Sequence, residues 1–487
     1  MKKSLIAIAV LGAAAFSAQA ANVTLYGTVD GGFMYKNAKN TFAGQQVGEK
    51  ESSFKFADGV DGANKIGIKG EEDIGNAKVG FKLENKFKLS DGNLGDSNKL
   101  FQREARLYVR NQFGELAAGR FGGLASAAGS YDLFFANADA FDGADNNINT
   151  GFVQSDRYDN SIAYQSPEIA GFQGTLMYSF QEKGEQKDKM KDNDRYIGAG
   201  LTFKQDALAV VGVFEGQIRN KGAKDNGAKN GFTYNLGANY DFGMAKVFGG
   251  FQYAHNAKFG EIQHYFDVKD FNDAKFYSNE SGLAAVDMMN QKLVELNGLV
   301  HADKDPMSNA EAMANAEAFA KQLDGSVLEV TAKTGSPFDK KDNTPKFVKT
   351  DDKTTAAEGK KVAAKMAGLI DGMQYNGYAF TLGSQIPFGA NKVTVAGYYG
   401  NFKNARAIEY GYDYQNAGET VKASDVLLGK KDVKLQTYGI DARYEYSLSK
   451  RTTLAAGAGI GQSKIKFAGE NAKSKVAQVY AGLHHNF

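Results

Sequence analysis

Several things that most large exported proteins carry are missing from this 487-residue chain. Cysteine and tryptophan are absent, and only 5 residues are proline. Without cysteine, an exported protein has no disulfide framework, no thiol catalysis and no cysteine metal site. Beyond the N-terminus, no apolar run approaches the 18 residues of a transmembrane helix. A net excess of either charge is lacking too: the chain has 58 basic and 56 acidic residues, and the numbers are equal when Lys2 and Lys3 are left out. No net field therefore favours nucleic acid as a partner.

The first twenty residues have the pattern of a secretory signal peptide. Lys2 and Lys3 form a basic start, residues 5–16 are apolar, and Ala18-Gln19-Ala20 resembles a cleavage site. The apolar stretch is too short to span a bilayer. We predict export through the Sec pathway and cleavage after Ala20, which leaves a mature protein that is periplasmic, secreted or inserted in the outer membrane as a barrel.

Glycine and aromatic residues are abundant, with 57 Gly, 34 Phe and 24 Tyr, although the mean hydropathy is −0.42. A soluble domain of this size normally has a dense aliphatic core. A chain that is polar on average yet rich in aromatic residues suits a membrane barrel with a wet lumen, because only alternate residues of each strand meet lipid.

Period-two alternation is the main structural signal. In 231–242, GFTYNLGANYDF, the residues from Phe232 to Phe242 alternate apolar and polar without a break, which is long enough for a tilted membrane strand. A β-sandwich also alternates, but its strands are shorter and its outer face is charged. We predict an all-β fold, a 16-stranded antiparallel transmembrane β-barrel. The predicted strands are 23–35, 64–70, 77–89, 101–111, 116–121, 157–165, 172–181, 195–204, 207–219, 231–242, 245–255, 375–386, 391–402, 433–446, 451–463 and 475–487.

The connections alternate between short turns and long loops, the asymmetry of an outer-membrane barrel. The connection 256–374 is anomalous, since it loses the period of two. Three stretches have helical spacing instead, at 282–299, 308–323 and 354–373, and Ser308 with Glu311 forms a capping-box pattern. We predict a helical extracellular insertion, with partial disorder as the alternative.

Six segments of the chain resemble the general porins of Gram-negative bacteria, most closely the trimeric neisserial and β-proteobacterial type. They are VTLYGTVDGGF (23–33), NKIGIKGEEDIGNAKVGFKL (64–83), FGELAAGRFG (113–122), YDNSIAYQSPEIAGFQGTLMY (158–178), residues 231–242 and the terminal GLHHNF. The resemblance implies a homotrimer and a passive channel for ions and small hydrophilic solutes. It also implies that the third loop, 122–156, folds into the lumen as a constriction, and that Phe487 serves as a signal for the barrel-assembly machinery.

The resemblance further implies basic residues on the lumen wall opposite carboxylates on the inward loop. Matched by position, the basic candidates are Lys65, Arg120 and Arg157. Alternation independently turns Lys82, Arg106 and Arg110 into the lumen, together with Lys69 and Glu104, whereas it turns Arg120 outward unless the strand bends there. Outward basic residues near strand ends, such as Arg103, fit lipid headgroups or lipopolysaccharide instead.

On the third loop the acidic candidates are Asp132, Asp139, Asp142 and Asp145. A solvated loop is one alternative, and a calcium site that includes Asp142 and Asp145 is another, although their spacing matches no specific cation loop. The five histidines show no metal spacing and no catalytic grouping is evident, so the sequence predicts neither cofactor, metal nor enzyme activity. Two other functions stay open: a substrate-specific channel, and an adhesin or binding protein that acts through 256–374.

Overall fold

A computed structural model describes most of the chain. The described residues are 22–42, 45–95, 99–141, 151–225, 228–258, 295–296, 298–305, 307–322, 328–330, 347–349, 374–405, 408–411, 414–416, 419–421, 427–467 and 470–487. The predicted signal peptide therefore lies outside the described residues.

One large antiparallel sheet contains seventeen strands. They are β1 Thr24–Phe42, β2 Gln45–Asp58, β3 Lys65–Asp73, β4 Ala77–Lys86, β5 Glu104–Asn111, β6 Gly114–Gly122, β7 Arg157–Gln165, β8 Phe172–Ser179, β9 Arg195–Gln205, β10 Leu208–Ile218, β11 Gly231–Asp241, β12 Lys246–Lys258, β13 Gln374–Phe388, β14 Asn391–Asn404, β15 Lys434–Ser447, β16 Thr452–Phe467 and β17 Glu470–Asn486.

The sheet closes on itself as a barrel. Each strand from β3 to β17 pairs with the next, and β17 pairs with β1 over Thr28–Phe42. The other side of β1 is shared: β3 pairs with Thr24–Thr28 and β2 with Gly31–Phe42. Because β2 and β3 occupy one position in succession, the barrel has sixteen positions, and the predicted all-β, 16-stranded antiparallel barrel is confirmed. Closure leaves no sheet edge in lipid.

The interruption between β2 and β3 was not predicted. The register places Asp58 opposite Gly31 and Lys65 opposite Thr28, so residues 59–64 lie opposite only two residues of β1. This six-residue excursion turns inward, and Val60 and Asn64 are buried. The prediction also ended the first strand near residue 35. The strand continues to Phe42 because hydrogen bonding to β2 and β17 extends it beyond the apolar segment that alternation can detect.

Lipid-facing and lumen-facing residues alternate as the sequence predicts. On β11, Tyr234 and Leu236 are 50% and 60% exposed on the outer face, whereas Asn235 and Asn239 are buried on the inner face. A polar interior inside an apolar exterior is the inverse of a soluble domain and suits a barrel in lipid. Short turns join the strands at one end, several through residues with positive φ such as Gly75, Asp206 and Gly243.

Regular structure outside the barrel is limited in the described part. The helices are α1 Phe134–Ala138, α2 Lys221–Asp225 and α3 Asn309–Gln322, with one 3₁₀ turn at Met190–Asp192. Residues 295–296 and 298–300, at the end of the first predicted helix, are helical as well. Three small hairpins pair Leu328–Val330 with Phe347–Lys349, Ile408–Gly411 with Leu427–Lys431, and Tyr414–Asn416 with Glu419–Val421. None of the described helices has the length and apolarity to cross a bilayer.

Within the insertion, α3 coincides with the middle predicted helix. Its capping box is present: Ser308 Oγ accepts the N–H of Glu311 at 3.2 Å, and the Glu311 carboxylate accepts the N–H of Ser308 at 3.0 Å. Residues 282–294 of the first predicted helix and the whole of the third, 354–373, lie outside the described residues.

The loop after β6 lies inside the barrel. Asn239 of β11 donates to the carbonyl of Asn137, and Gln385 of β13 donates to the carbonyl of Ala140. The apolar residues of the loop belong to the largest buried cluster among the described residues, which also includes wall residues such as Tyr196, Val211 and Phe402. Its loop members are Leu124, Ala125, Tyr131, Leu133, Phe134, Phe135, Ala138, Ala140, Phe141, Phe152 and Val153. The core of this molecule is thus the contact between the loop and the inner wall.

Candidate functional site in the barrel lumen

On the lumen-facing side of β4 and β5, side chains of like charge lie directly opposite each other, in one basic pair and one acidic pair. The register places Lys82 directly opposite Arg106 and Glu84 directly opposite Glu104. Like charges directly opposite each other are unfavourable, whereas diagonal neighbours lie within reach of long side chains. The ion pairs accordingly run along the diagonals, and Lys82 Nζ lies 2.8 Å from Glu104 Oε2.

Arg106 is the centre of this network. Its Nε lies 2.8 Å from Glu104 and its Nη1 lies 2.7 Å from Glu115 of β6. Nη1 also donates to the hydroxyl of Tyr131, a residue of the inward loop, at 2.8 Å. The guanidinium packs over the rings of Tyr108 and Tyr131. Arg106 thereby links the wall to the loop.

The network extends through Lys82 towards the extracellular side. Lys82 donates to Ser130 of the loop at 3.1 Å, and Glu84 accepts from Arg103 at 2.6 Å. The expectation that Arg103 faces lipid is therefore wrong. Arg103 precedes the first residue of β5, so strand alternation does not fix its direction, and it turns to a buried carboxylate.

The remaining basic candidates occupy different positions. Lys65 of β3 is a diagonal neighbour of Glu84 on β4, because the register places Glu84 directly opposite Gly67. Arg110 pairs with Glu71 at 2.5 Å near the short turns, where half of its side chain is exposed. Arg157 begins β7, and its carbonyl accepts from Arg120.

Arg120 is separated from the network. Its Nε donates to the carbonyl of Gln102 at 2.8 Å, and its Nη1 pairs with Asp159, which also binds Lys99. The pairing of β6 with β7 shifts register between Gly119 and Phe121, and Gly119 has φ of 136°. A Cβ at Gly119 would lie 2.1 Å from the carbonyl oxygen of Ala105, so only glycine fits this bulge.

Two of the acidic candidates hold the loop in shape. Asp132 accepts the N–H groups of Ser126 and Ala127 at 3.1 and 3.2 Å, and that of Ala136 at 3.0 Å. Asp139 is buried and accepts from the hydroxyl of Tyr398 on β14 at 2.9 Å. Asp142 and Asp145, also the candidates for calcium, lie outside the described residues.

A second ion cluster lies at the seam of the barrel, on the inner side of β1, β15 and β17. The Asp30 carboxylate accepts the N–H groups of Val60, Asp61 and Gly62 at 2.6–2.9 Å and lies 3.0 Å from His484 Nδ1. These bonds hold the 59–64 excursion in the lumen. Asp61 in turn pairs with Arg443 at 2.8 Å, and that guanidinium packs on Phe141 at the far end of the described loop.

The pKa values of several groups in the loops are shifted, and three of these groups lie close to the lumen or to one another. Burial raises the pKa of the Tyr131 hydroxyl. Burial also raises the pKa of Glu182 to about 7, against the partial compensation of Arg219 3.7 Å away. At Asp156 burial acts in the same direction, but Lys183 at 2.7 Å and the N–H of Arg157 outweigh it and lower the pKa.

Several central residues were missed by the sequence analysis. Glu104 was placed on the lumen face without a role, and Glu84, Glu115, Tyr131, Asp61 and Arg443 were not singled out. Alternation in β15 could have identified Arg443, since Asp441, Arg443 and Glu445 share its inner face. The carboxylates that pair with Lys82 and Arg106 come from neighbouring strands, and strand register is what sequence inspection does not provide.

A closed barrel with an apolar exterior, a polar lumen and an inward loop defines a membrane channel rather than an enzyme. The family model for Gram-negative porins matches residues 7–286, more than half of the chain, and the chain belongs to this family. It is a passive channel of the bacterial outer membrane.

Relatives with known names agree with this assignment. The chain is 31% identical over 264 residues to an outer membrane porin protein of Bordetella pertussis, covering 51% of this chain and 68% of that protein. It is 33% identical over 264 residues to outer membrane porin protein 32 of Delftia acidovorans, with the same coverage. Among solved structures, an anion-selective porin from Comamonas acidovorans aligns over 96% of this chain and all of its own, with 19% identity and a TM-score of 0.48.

Proposed function

We propose that this porin conducts ions and small hydrophilic solutes through a constriction whose field comes from interleaved charges on one wall. The observation that carries the proposal is the ion-paired network of Arg103, Glu84, Lys82, Glu104, Arg106 and Glu115, joined to the loop by Tyr131. These six charges cancel. Selectivity is therefore weak and depends on which unbalanced charges lie beside them.

The basic side of the constriction consists of Lys65, Lys82, Arg106 and, towards the short turns, Arg110. Arg157 and Arg120 contribute at the rim where the loop leaves β6. Asp132 and Asp139 act by holding the loop at its width, and Asp142 and Asp145 supply negative charge to the same loop. Loop shape and wall charge are thus separate functions of separate residues, which makes them separable by mutation.

Assembly completes the proposal. The protein is exported by its signal peptide, cleaved after Ala20, delivered to the barrel-assembly machinery through Phe487, and works as a homotrimer among lipopolysaccharide. Phe487 directly follows the closing strand β17, and its backbone exchanges hydrogen bonds of 3.1 and 3.2 Å with Gly27. A terminal aromatic residue at that seam is well placed for a factor that delivers the strand.

Single-channel recording under a salt gradient tests the proposal. Lys82→Gln with Arg106→Gln leaves Glu104 and Glu115 uncompensated, so the reversal potential should move towards cation preference. Glu104→Gln with Glu115→Gln should move it towards anion preference. Lys450→Gln and Glu168→Gln change exposed charges in the short turns and serve as controls. Equal reversal potentials in all variants would show that the field is set elsewhere, and conductance steps that never occur in threes would contradict the trimer.

A further inference from the structure

Seven lysines share the outer face of five neighbouring strands at their extracellular ends. They are Lys39 on β1, Lys403 on β14, Lys434 on β15, Lys464 and Lys466 on β16, and Lys473 and Lys475 on β17, so that the strands from β14 to β17 carry six and β1, across the seam, carries the seventh. Each has the same parity as lipid-facing residues of its own strand, such as Tyr35, Ile440, Ile460 and Val479. We call these seven residues the lysine cluster.

Within the cluster, lysines face lysines. The register puts Lys434 directly opposite both Lys403 and Lys466, Lys464 opposite Lys473, and Lys39 opposite Lys475. Like charges in directly opposed pairs destabilise a sheet. In the described part of the chain, no carboxylate forms an ion pair with any of the seven. The cost of this arrangement has no compensation among those residues.

An apolar groove begins beneath the cluster. Lys39, Lys475 and Gln462 stand at its extracellular end, and Ile440, Ile460 and Ala477 line it below, around a volume of about 680 Å³. The same three apolar residues continue into a second hollow of about 390 Å³ beside Tyr35, Ala442 and Val479. Small residues, among them Gly439, Gly461 and Ala458, leave the outer surface recessed between larger neighbouring side chains. The two hollows extend along the strands for roughly four residues, or about 13 Å.

We propose that the lysine cluster and this groove bind the phosphorylated glycolipid of the outer leaflet, lipopolysaccharide, with its phosphates on the lysines and an acyl chain in the groove. The proposal deepens the partnership suggested above and rests on the outer-membrane location, not on conduction. Lipopolysaccharide carries several phosphate groups on an acylated anchor. Its negative charge complements the lysine cluster, and an acyl chain complements the apolar groove. Cationic residues beside an anionic lipid surface each strengthen binding.

The test compares two triple variants of the full-length protein. Lys464→Gln, Lys466→Gln and Lys473→Gln removes the centre of the cluster. Lys187→Gln, Lys189→Gln and Lys191→Gln removes three exposed lysines from the loop after β8. Lipopolysaccharide bound per chain is measured by native mass spectrometry, with dephosphorylated lipopolysaccharide and phosphatidylglycerol as separate probes. We expect the first variant to bind lipopolysaccharide roughly a hundredfold more weakly than wild type and the control to bind normally.

The melting temperature gives a second readout, because loss of the lysines should have opposite effects on it without and with lipopolysaccharide. In detergent without lipopolysaccharide, the cluster variant should melt at a higher temperature than wild type, because three repelling charges are gone. With lipopolysaccharide added, wild type should gain more than the variant. If the variant does not fold, wild type alone suffices, since its affinity must fall with salt and with dephosphorylation of the ligand.

Three results would overturn the proposal: equal binding by the cluster variant and the control, equal affinity for the dephosphorylated ligand, or equal affinity for phosphatidylglycerol. Conductance is measured in parallel. Unchanged conductance with lost lipopolysaccharide binding supports the site and leaves the channel function intact. A failure of the channel proposal would instead appear as absent conductance in wild type.

Discussion

Arg106 and Tyr131 share one acceptor. Arg106 Nη1 donates to Tyr131 at 2.8 Å and lies 2.7 Å from Glu115 Oε1, and the Tyr131 hydroxyl donates to that same oxygen at 2.6 Å. The guanidinium of Arg106, the carboxylate of Glu115 and the hydroxyl of Tyr131 are thus each hydrogen-bonded to the other two. The position of the inward loop is therefore coupled to the charge of the wall.

Removal of the Tyr131 hydroxyl should loosen the attachment of the inward loop to the wall without changing any charge. In Tyr131→Phe the Arg106–Glu115 pair remains, but two hydrogen bonds to charged groups are lost. We expect the free energy of unfolding to fall by about 2 kcal/mol and open-channel noise to rise. Thermal unfolding in detergent and single-channel recording measure the two effects. Tyr164→Phe, which loses one bond to a turn carbonyl on the outer surface, is the matched control and should leave the noise unchanged.

The excursion at 59–64 lies in the lumen beside β1 and depends on Asp30. In Asp30→Ala three backbone N–H groups and His484 lose their acceptor, so the excursion should leave the lumen. We expect a loss of roughly 2–4 kcal/mol in stability together with a larger single-channel conductance. Asp58→Ala removes a carboxylate whose hydrogen-bond partner among the described residues is the exposed Ser90, and it should change neither quantity. Unaltered conductance in Asp30→Ala would mean that the excursion lies outside the narrowest section.

Glu182 should make one extracellular loop sensitive to pH. The ordinary pKa of a glutamate is 4.5, and burial raises the folded-state pKa of Glu182 to about 7, while its Oε1 has no hydrogen-bond partner among the described residues. An acid with a raised folded-state pKa stabilises the fold most below the unfolded pKa. That contribution declines as pH rises from about 4.5 to about 7, by about 3 kcal/mol in total.

Hydrogen exchange of residues 180–194 measures this local stability. Protection should be higher at pH 5 than at pH 8 in wild type. Glu182→Gln should show the same protection at both values, because the neutral amide mimics the protonated acid. Glu185→Gln alters an exposed carboxylate of the same loop and should retain the wild-type pH dependence. Identical pH profiles for Glu182→Gln and wild type would assign the effect to other groups.

The long insertion should be dispensable for the barrel. Lys258, the last residue of β12, is paired directly with Gln374, the first residue of β13. Replacement of 259–373 by Asn-Gly joins these two positions with a two-residue hairpin turn. We expect the shortened chain to fold, to resist heat in detergent and to conduct. Loss of cell binding with intact conductance would instead favour the adhesin function of the insertion, and loss of both would show that the barrel needs it.

The sequence predicted the barrel well because lipid imposes a period of two on every strand, whatever its partners. It predicted the site less well for three local reasons. Arg103 lies just before a strand, so alternation did not apply to it. The bulge at Gly119 lies where β6 meets the loop, beside Arg120. Glu104 and Glu115 became the partners of Arg106 only through strand register, and Asp132 and Asp139 have acceptor roles that depend on the path of the loop.

The seam between β1 and β17 has a consequence for biogenesis. Fifteen consecutive residues of the first strand, Thr28–Phe42, pair with the last strand. The strand that leaves the ribosome first is therefore matched by the one that leaves it last, across the largest sequence separation in the barrel. Until synthesis and export end, β1 has an unsatisfied edge that could capture other strands. The barrel can therefore close through the β1–β17 pairing only after β17 has been synthesised.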